Sequence, residues 1–141
     1  MYNYKNLPGI QSNVMDNRTY MFVMKSAIEI SDGYRILKAL QYEKPTGEKD
    51  IERMSKGVEL ILEGIKIAQF QLDVLQNYNH IEELRKALDE GSNAFKELKI
   101  LRVEEKKDWY EAILNKLDKI PKIVEYLEGA IEYYKPENDI L

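Results

Sequence analysis

The chain has 141 residues, the size of one domain and long enough to bury a real core. Its 21 basic and 25 acidic residues are mixed in sign and leave a net charge of -4, so the basic footprint that marks nucleic-acid binding is absent. It contains no cysteine, which excludes disulfides, thiolate metal sites and cysteine nucleophiles together.

Residues 1–15 begin "MYNYKNLPGIQSNV", with neither an apolar run nor a small-residue cleavage site. They read as a flexible leader carrying Tyr2 and Tyr4 rather than as a signal peptide. The first helix is expected from Asp16 to Glu43, with Tyr20, Val23, Ala27, Ile30, Tyr34 and Leu37 as its apolar seam. A turn-like Ser31-Asp32-Gly33 interrupts it, and Pro45 and Gly47 end it.

The second helix is expected from Glu48 to Asn77. Ile51, Met54, Val58, Ile61, Ile65, Ala68, Leu72 and Leu75 keep a 3-4 spacing that no strand could produce. Leu60, Ile67 and Val74 form a second apolar line with Phe70 beside it, so this helix should meet more than one neighbour. The third is expected from Asn79 to about residue 106, on Ile81, Leu84, Leu88, Gly91, Phe95 and Leu98. Gly91-Ser92-Asn93 looks like a loop, but the apolar phase passes through it without slipping. One continuous helix is the reading.

The fourth helix is expected from Asp108, as an N-cap with Glu111 reaching back, to Tyr134. Its seam is Tyr110, Ile113, Leu117, Ile120, Val124, Leu127, Ile131 and Tyr134. Pro121 should kink or break it, and the unbroken phase favours a kink. Residues 136–141, "PENDIL", read as a tail.

Four segments of about 28 residues, each ~42 Å long, with short links force neighbours to be antiparallel. The expected fold is an all-α, up-down-up-down four-helix bundle forming one domain over residues 16–135. Three long helices, or two hairpins completed by a second chain, are the alternatives.

Laid antiparallel, the helix breakers fall near one height. Gly64 stands level with Gly91, Gly33 with Val58 beside Gly57, and Pro121 with Asn93. Each interior glycine costs about 1 kcal/mol against alanine, and an unaccommodated proline about 3 kcal/mol. Such a belt reads as close packing, with Tyr34 or Phe95 filling the space opposite, or as a functional waist lined by Gly33, Tyr34, Gly64, Gly91, Asn93 and Pro121.

Catalytic signals are thin. His80 is the only histidine and has no nucleophile pattern to serve. A bundle di-metal site needs Glu-x-x-His, but three residues before His80 stands Asn77. Glu104, Glu105 and Asp108, with Glu125 and Glu128 further on, resemble the acidic pattern of all-α nucleoside triphosphate pyrophosphatases. Asp108 stands where that family has a Glu, and the second pair lacks its Asp. The resemblance implies Mg²⁺ held by these carboxylates against substrate phosphates. The alternative is a charged, solvated helix face. The stripe Lys96, Lys99, Arg102, Lys106 and Lys107 is interleaved with Glu97, Glu104 and Glu105, which argues against nucleic acid.

Protein partners fit better. Ten tyrosines are a heavy load for a chain this size, and tyrosine favours interfaces. Tyr126 and Tyr133 lie off the fourth seam, and Glu125, Glu128 and Glu132 could steer a basic partner. In general shape the chain is similar to small export chaperones or helical accessory subunits, without a shared motif. The reading is a non-enzymatic, cytoplasmic helical interaction module with no cofactor or metal, binding protein and able to self-associate. Metal-dependent nucleotide hydrolysis and small-ligand binding at the waist stand behind it.

Overall fold

The computed structural model describes residues 15–39, 42, 48–104 and 106–135, and of 48–50, 100–104 and 106–108 only the backbone. Most of the expected leader and the whole expected tail therefore lie outside the described residues. Met15, the last leader position, is half-buried against the core. The architecture is all-α: four helices pack together, the last joined from pieces, with no strand among the described residues.

Helix α1 spans Asn17–Lys38. The Asp16 side chain caps it, accepting from the Thr19 N–H at 2.8 Å, and that bond holds the Asp16 carboxyl below its ordinary range. Ser31-Asp32-Gly33 is absorbed into the helix, as the seam implied. The helix stops at Lys38, short of the expected Glu43. Leu37 is the last buried anchor of its seam. Past the helix end, the Tyr42 N–H closes a turn on the Ala39 carbonyl at 3.0 Å.

Helix α2 spans Glu48–Phe70 and is followed by a 3-10 turn, Leu72–Leu75. The expected end at Asn77 is thus corrected. From Gln71 to Ile81 the backbone makes a run of tight bonds, including Tyr78 N–H to Leu75 O and Ile81 N–H to Tyr78 O. Three residues per turn stack i over i+3. Leu72, Leu75, Tyr78 and Ile81, three apart, are accordingly all buried. The second apolar line of α2 is only partly covered: Leu60 and Ile67 are half-buried, while Val74 and Phe70 are exposed.

Helix α3 spans Ile81–Glu104 and is continuous through Gly91-Ser92-Asn93. It starts two residues later than Asn79, where the run of tight turns ends. Helix α4 spans Lys106–Lys116, so Asp108 lies inside it and is not its cap. A 3-10 turn, Leu117–Lys119, then leads into α5, Ile120–Tyr133. Of the two expected outcomes at the proline, the kink or the break, the helix shows the break. Pro121 occupies the first turn of α5, where its missing N–H is no loss. Leu117 and Ile120 are both buried, so the tight turn carries the core seam across the break.

Neighbours are antiparallel. Gly33 and Gly57 of α1 and α2 face each other, and Gly64 lies on Ser26 and Ile30. Gly91 of α3 meets Ile65 of α2 and Ile123 of α5, and Lys116 reaches Glu97 at 3.0 Å. The core between them holds Ile30, Leu37, Met54, Ile61, Phe95, Trp109 and Leu127, each buried.

Candidate functional site

Helix α1 carries two apolar stripes. Val23, Ala27, Ile30 and Leu37 form the buried one. Met21, Met24 and Ile28, spaced 3-4, form a second along its outer side, and these three are 64%, 36% and 55% exposed. Apart from Tyr42, the exposed large apolar side chains among the described residues are these three with Phe22, Phe70 and Val74, and all but the mid-helix Ile28 belong to one end of the bundle. It is the end where α1 starts, the α2–α3 link turns and α5 finishes. Scattered exposed apolar residues mean little, but clustered ones mark interaction surfaces.

Two adjoining hollows run along α1 and α5, both open to solvent, with volumes of ≈ 420 and ≈ 380 Å³. They share Ser31, Arg35 and Glu128 and so form one groove. Its α1 wall is apolar at one end, with Met24 and Ile28, and bears Arg35 and Tyr34 toward the other. Its α5 wall carries Glu125, Glu128 and Glu132 around Val124 and Ile131. Arg35 is already paired with Asp32 of its own helix at 3.1 Å. Lys38 Nζ lies 6.0 Å from the Tyr34 ring centroid, a weak exposed contact.

The carboxylates of the expected interaction surface thus come together with Tyr34 and Pro121 of the expected waist. The other members part company. Tyr126 and Tyr133 lie on a different flank of α5 and are half-buried against the α2–α3 link. There His80 sits 5.8 Å from Tyr126, and Tyr78 5.8 Å from Tyr133, ring centre to ring centre. Tyr134 stacks edge-on to Tyr133 and accepts the Asn77 N–H at 3.2 Å. Burial pushes the Tyr78 and Tyr134 hydroxyls above their ordinary range. His80 Nδ1 lies 3.2 Å from Glu83, and this hydrogen bond lowers the Glu83 carboxyl.

The belt is close packing where its glycines stand. Gly33 and Gly64 bring the α1 and α2 backbones together, and the fillers are Ile30, Ile61 and Ile123 rather than Tyr34 or Phe95. Gly64 and Gly91 are level but face different neighbours. Asn93 is exposed and lines no interior space with them. One polar feature borders the belt: Glu29, opposite Glu63 of α2, has its carboxyl raised by burial and by that neighbour's charge, with Lys25 and Lys56 opposing.

Compared with known proteins, the chain matches no family model, no curated protein and no solved structure. The groove must therefore be read from its own chemistry. Of the carboxylates that could hold a divalent cation, Glu125 and Glu128 line the groove. Glu105 and the side chains of Glu104 and Asp108 lie outside the described residues. Among the described residues no three His, Cys, Asp or Glu side chains are grouped to hold a metal, and no helix is long and apolar enough to cross a membrane.

Met21, Met24, Ile28 and Arg35 escaped the sequence reading. Their signal was present: a 3-4 line of large apolar residues running parallel to the core seam. Two such lines on one helix predict a second contact, which the chain itself only partly supplies.

Proposed function

We propose that this protein is a non-enzymatic helical interaction module that docks a protein partner on the α1–α5 face. The observation that carries this reading is the exposed stripe Met21, Met24 and Ile28 beside the carboxylates Glu128 and Glu132. A folded chain gains by covering such side chains: fully burying each contributes about 1.5–3 kcal/mol. The stripe stays 36–64% exposed in the folded chain, so much of its apolar surface is left for a partner to cover.

Co-purification from the native cell tests the reading. The wild-type chain should retain a partner that Ile28→Asp loses and that Lys86→Glu, at an exposed site on α3, keeps. Retention of the same partner by both variants rejects the α1–α5 face. The carboxylate-based nucleotide hydrolase is the competing proposal, and a thermal shift with Mg²⁺ or Mn²⁺ plus a nucleotide panel separates it. A clear shift with any of them would favour the enzyme.

A further inference from the structure

We infer that the partner of this face is an amphipathic helix of about four turns, apolar on one side and basic along one flank. This rests on the docking reading above and adds the chemistry of the occupant. Three observations carry it.

The first is length and spacing. Met21, Met24, Ile28 and Arg35 lie on one strip of α1, and from Met21 to Arg35 an α-helix advances roughly 21 Å. Ridges at 3-4 spacing receive another helix at the same spacing. The second is charge. Among its lining residues the groove presents three carboxylates, Glu125, Glu128 and Glu132, against the one guanidinium of Arg35, with Lys38 further along beside Tyr34, so the α5 side is acidic. Arg35 is moreover already engaged by Asp32. A helix seated on the Met24–Ile28 strip therefore meets an acidic rim on its α5 side, and lysine or arginine there is complementary. The third observation discriminates against a second copy of this chain. A two-fold pairing apposes the same patch with itself. The net negative face would then meet an equal negative face.

Two synthetic helices provide the test, each of about four turns with leucines at 3-4 spacing. One carries lysines along one flank and the other carries glutamates there. Binding to the full chain is followed by fluorescence anisotropy. The lysine helix should bind, and the glutamate helix should bind at least about tenfold more weakly. Ile28→Asp should weaken the lysine helix about tenfold or more. The triple variant Glu125→Lys, Glu128→Lys, Glu132→Lys should weaken it too and reverse the preference between the two helices. Circular dichroism should show unchanged helix content, since all four positions are exposed or at the rim. Met21→Gln with Met24→Gln is the uncharged second variant.

Equal binding of both helices, or a lysine helix indifferent to the triple reversal, overturns the basic partner. If Ile28→Asp still weakens binding in that case, the docking face stands and only its charge assignment falls. A dimer mass that Ile28→Asp abolishes assigns the face to a second copy and also overturns the inference. If neither helix binds, the inference falls. The docking reading then falls with it only if Ile28→Asp also keeps the cellular partner.

Discussion

Gly33 and Gly57 face each other across α1 and α2 so closely that a Cβ on Gly33 would lie 2.6 Å from the Gly57 carbonyl oxygen. The same Cβ would come within 2.8 Å of Ile61 Cγ1 and 3.1 Å of the Ile61 nitrogen. This helix pair is built on glycine against backbone. Backbone cannot step aside without moving a helix.

Gly33→Ala should therefore destabilise the fold, by about 2 kcal/mol, as overpacking outweighs the helix-propensity gain of about 1 kcal/mol. Gly91→Ala is the control. Its Cβ would meet Ile123 Cδ1 at 2.6 Å and Ile65 Cδ1 at 3.2 Å, the free ends of side chains that can turn. It should stay within about 1 kcal/mol of wild type. Urea denaturation of the two variants checks the contrast, and equal losses would mean both sites are equally rigid.

Removing the proline should not strengthen the last helix. An interior proline costs about 3 kcal/mol, but at the first turn it costs little. Pro121→Ala should change stability by less than about 1 kcal/mol. A large gain in thermal stability would show that the break at Leu117–Lys119 is imposed by the proline rather than by the core.

At the other flank of α5, Tyr134 holds the α2–α3 link through its hydroxyl, which accepts the Asn77 N–H. Tyr134→Phe keeps the buried ring and loses the acceptor. The expected cost is about 1 kcal/mol, with faster amide exchange at Asn77 as the local signature. Unchanged exchange there would mean the bond does not anchor the link.

Glu29 should shape the acid side of the stability profile. Its carboxyl is raised above 4.5, first by burial and then by Glu63, and its Oε1 is buried without a hydrogen-bond partner. The folded chain thus binds this proton more tightly than the unfolded chain does. Ionisation is a penalty that is absent below pH 4.5 and sets in as pH rises through the folded value. Glu29→Gln should be more stable than wild type at neutral pH, and the difference should vanish toward pH 4. The lost pair with Lys25, at 3.8 Å and with the lysine side chain 57% exposed, opposes this only weakly. A pH-independent difference would assign the effect to packing instead.

Much of the fold was legible along the chain, and Gly91 shows why. Helix phase is local information, and Leu88, Gly91, Phe95 and Leu98 keep it through a tripeptide that looks like a loop. Relative height was legible for the same reason. Short links set which residues of neighbouring helices stand level, as Gly33 beside Gly57 and Gly91 beside Ile123 confirm. The end of α1 was not legible, because the seam runs out at Leu37 and helix phase alone does not say where a helix stops past it. An interruption at Pro121 was legible from the proline itself, but whether it would be a kink or a break was not, because Leu117 and Ile120 suit a tight turn and a helix equally.

The sequence by itself pointed to an all-α fold of four packed helical segments with antiparallel neighbours. It did so through apolar spacing and link length, both of which are written in order along the chain. Tertiary structure alone decided which faces were covered. Val23 with Ile30 and Met24 with Ile28 are similar apolar pairs on one helix, yet only the first is buried. Glu125 and Tyr126 are adjacent in sequence, yet one borders the α1 groove and the other packs beside His80. Periodicity fixes the angle between two side chains on a helix. What stands at that angle depends on how the other helices come to rest, and here they leave the Met24–Ile28 stripe and its acidic rim open.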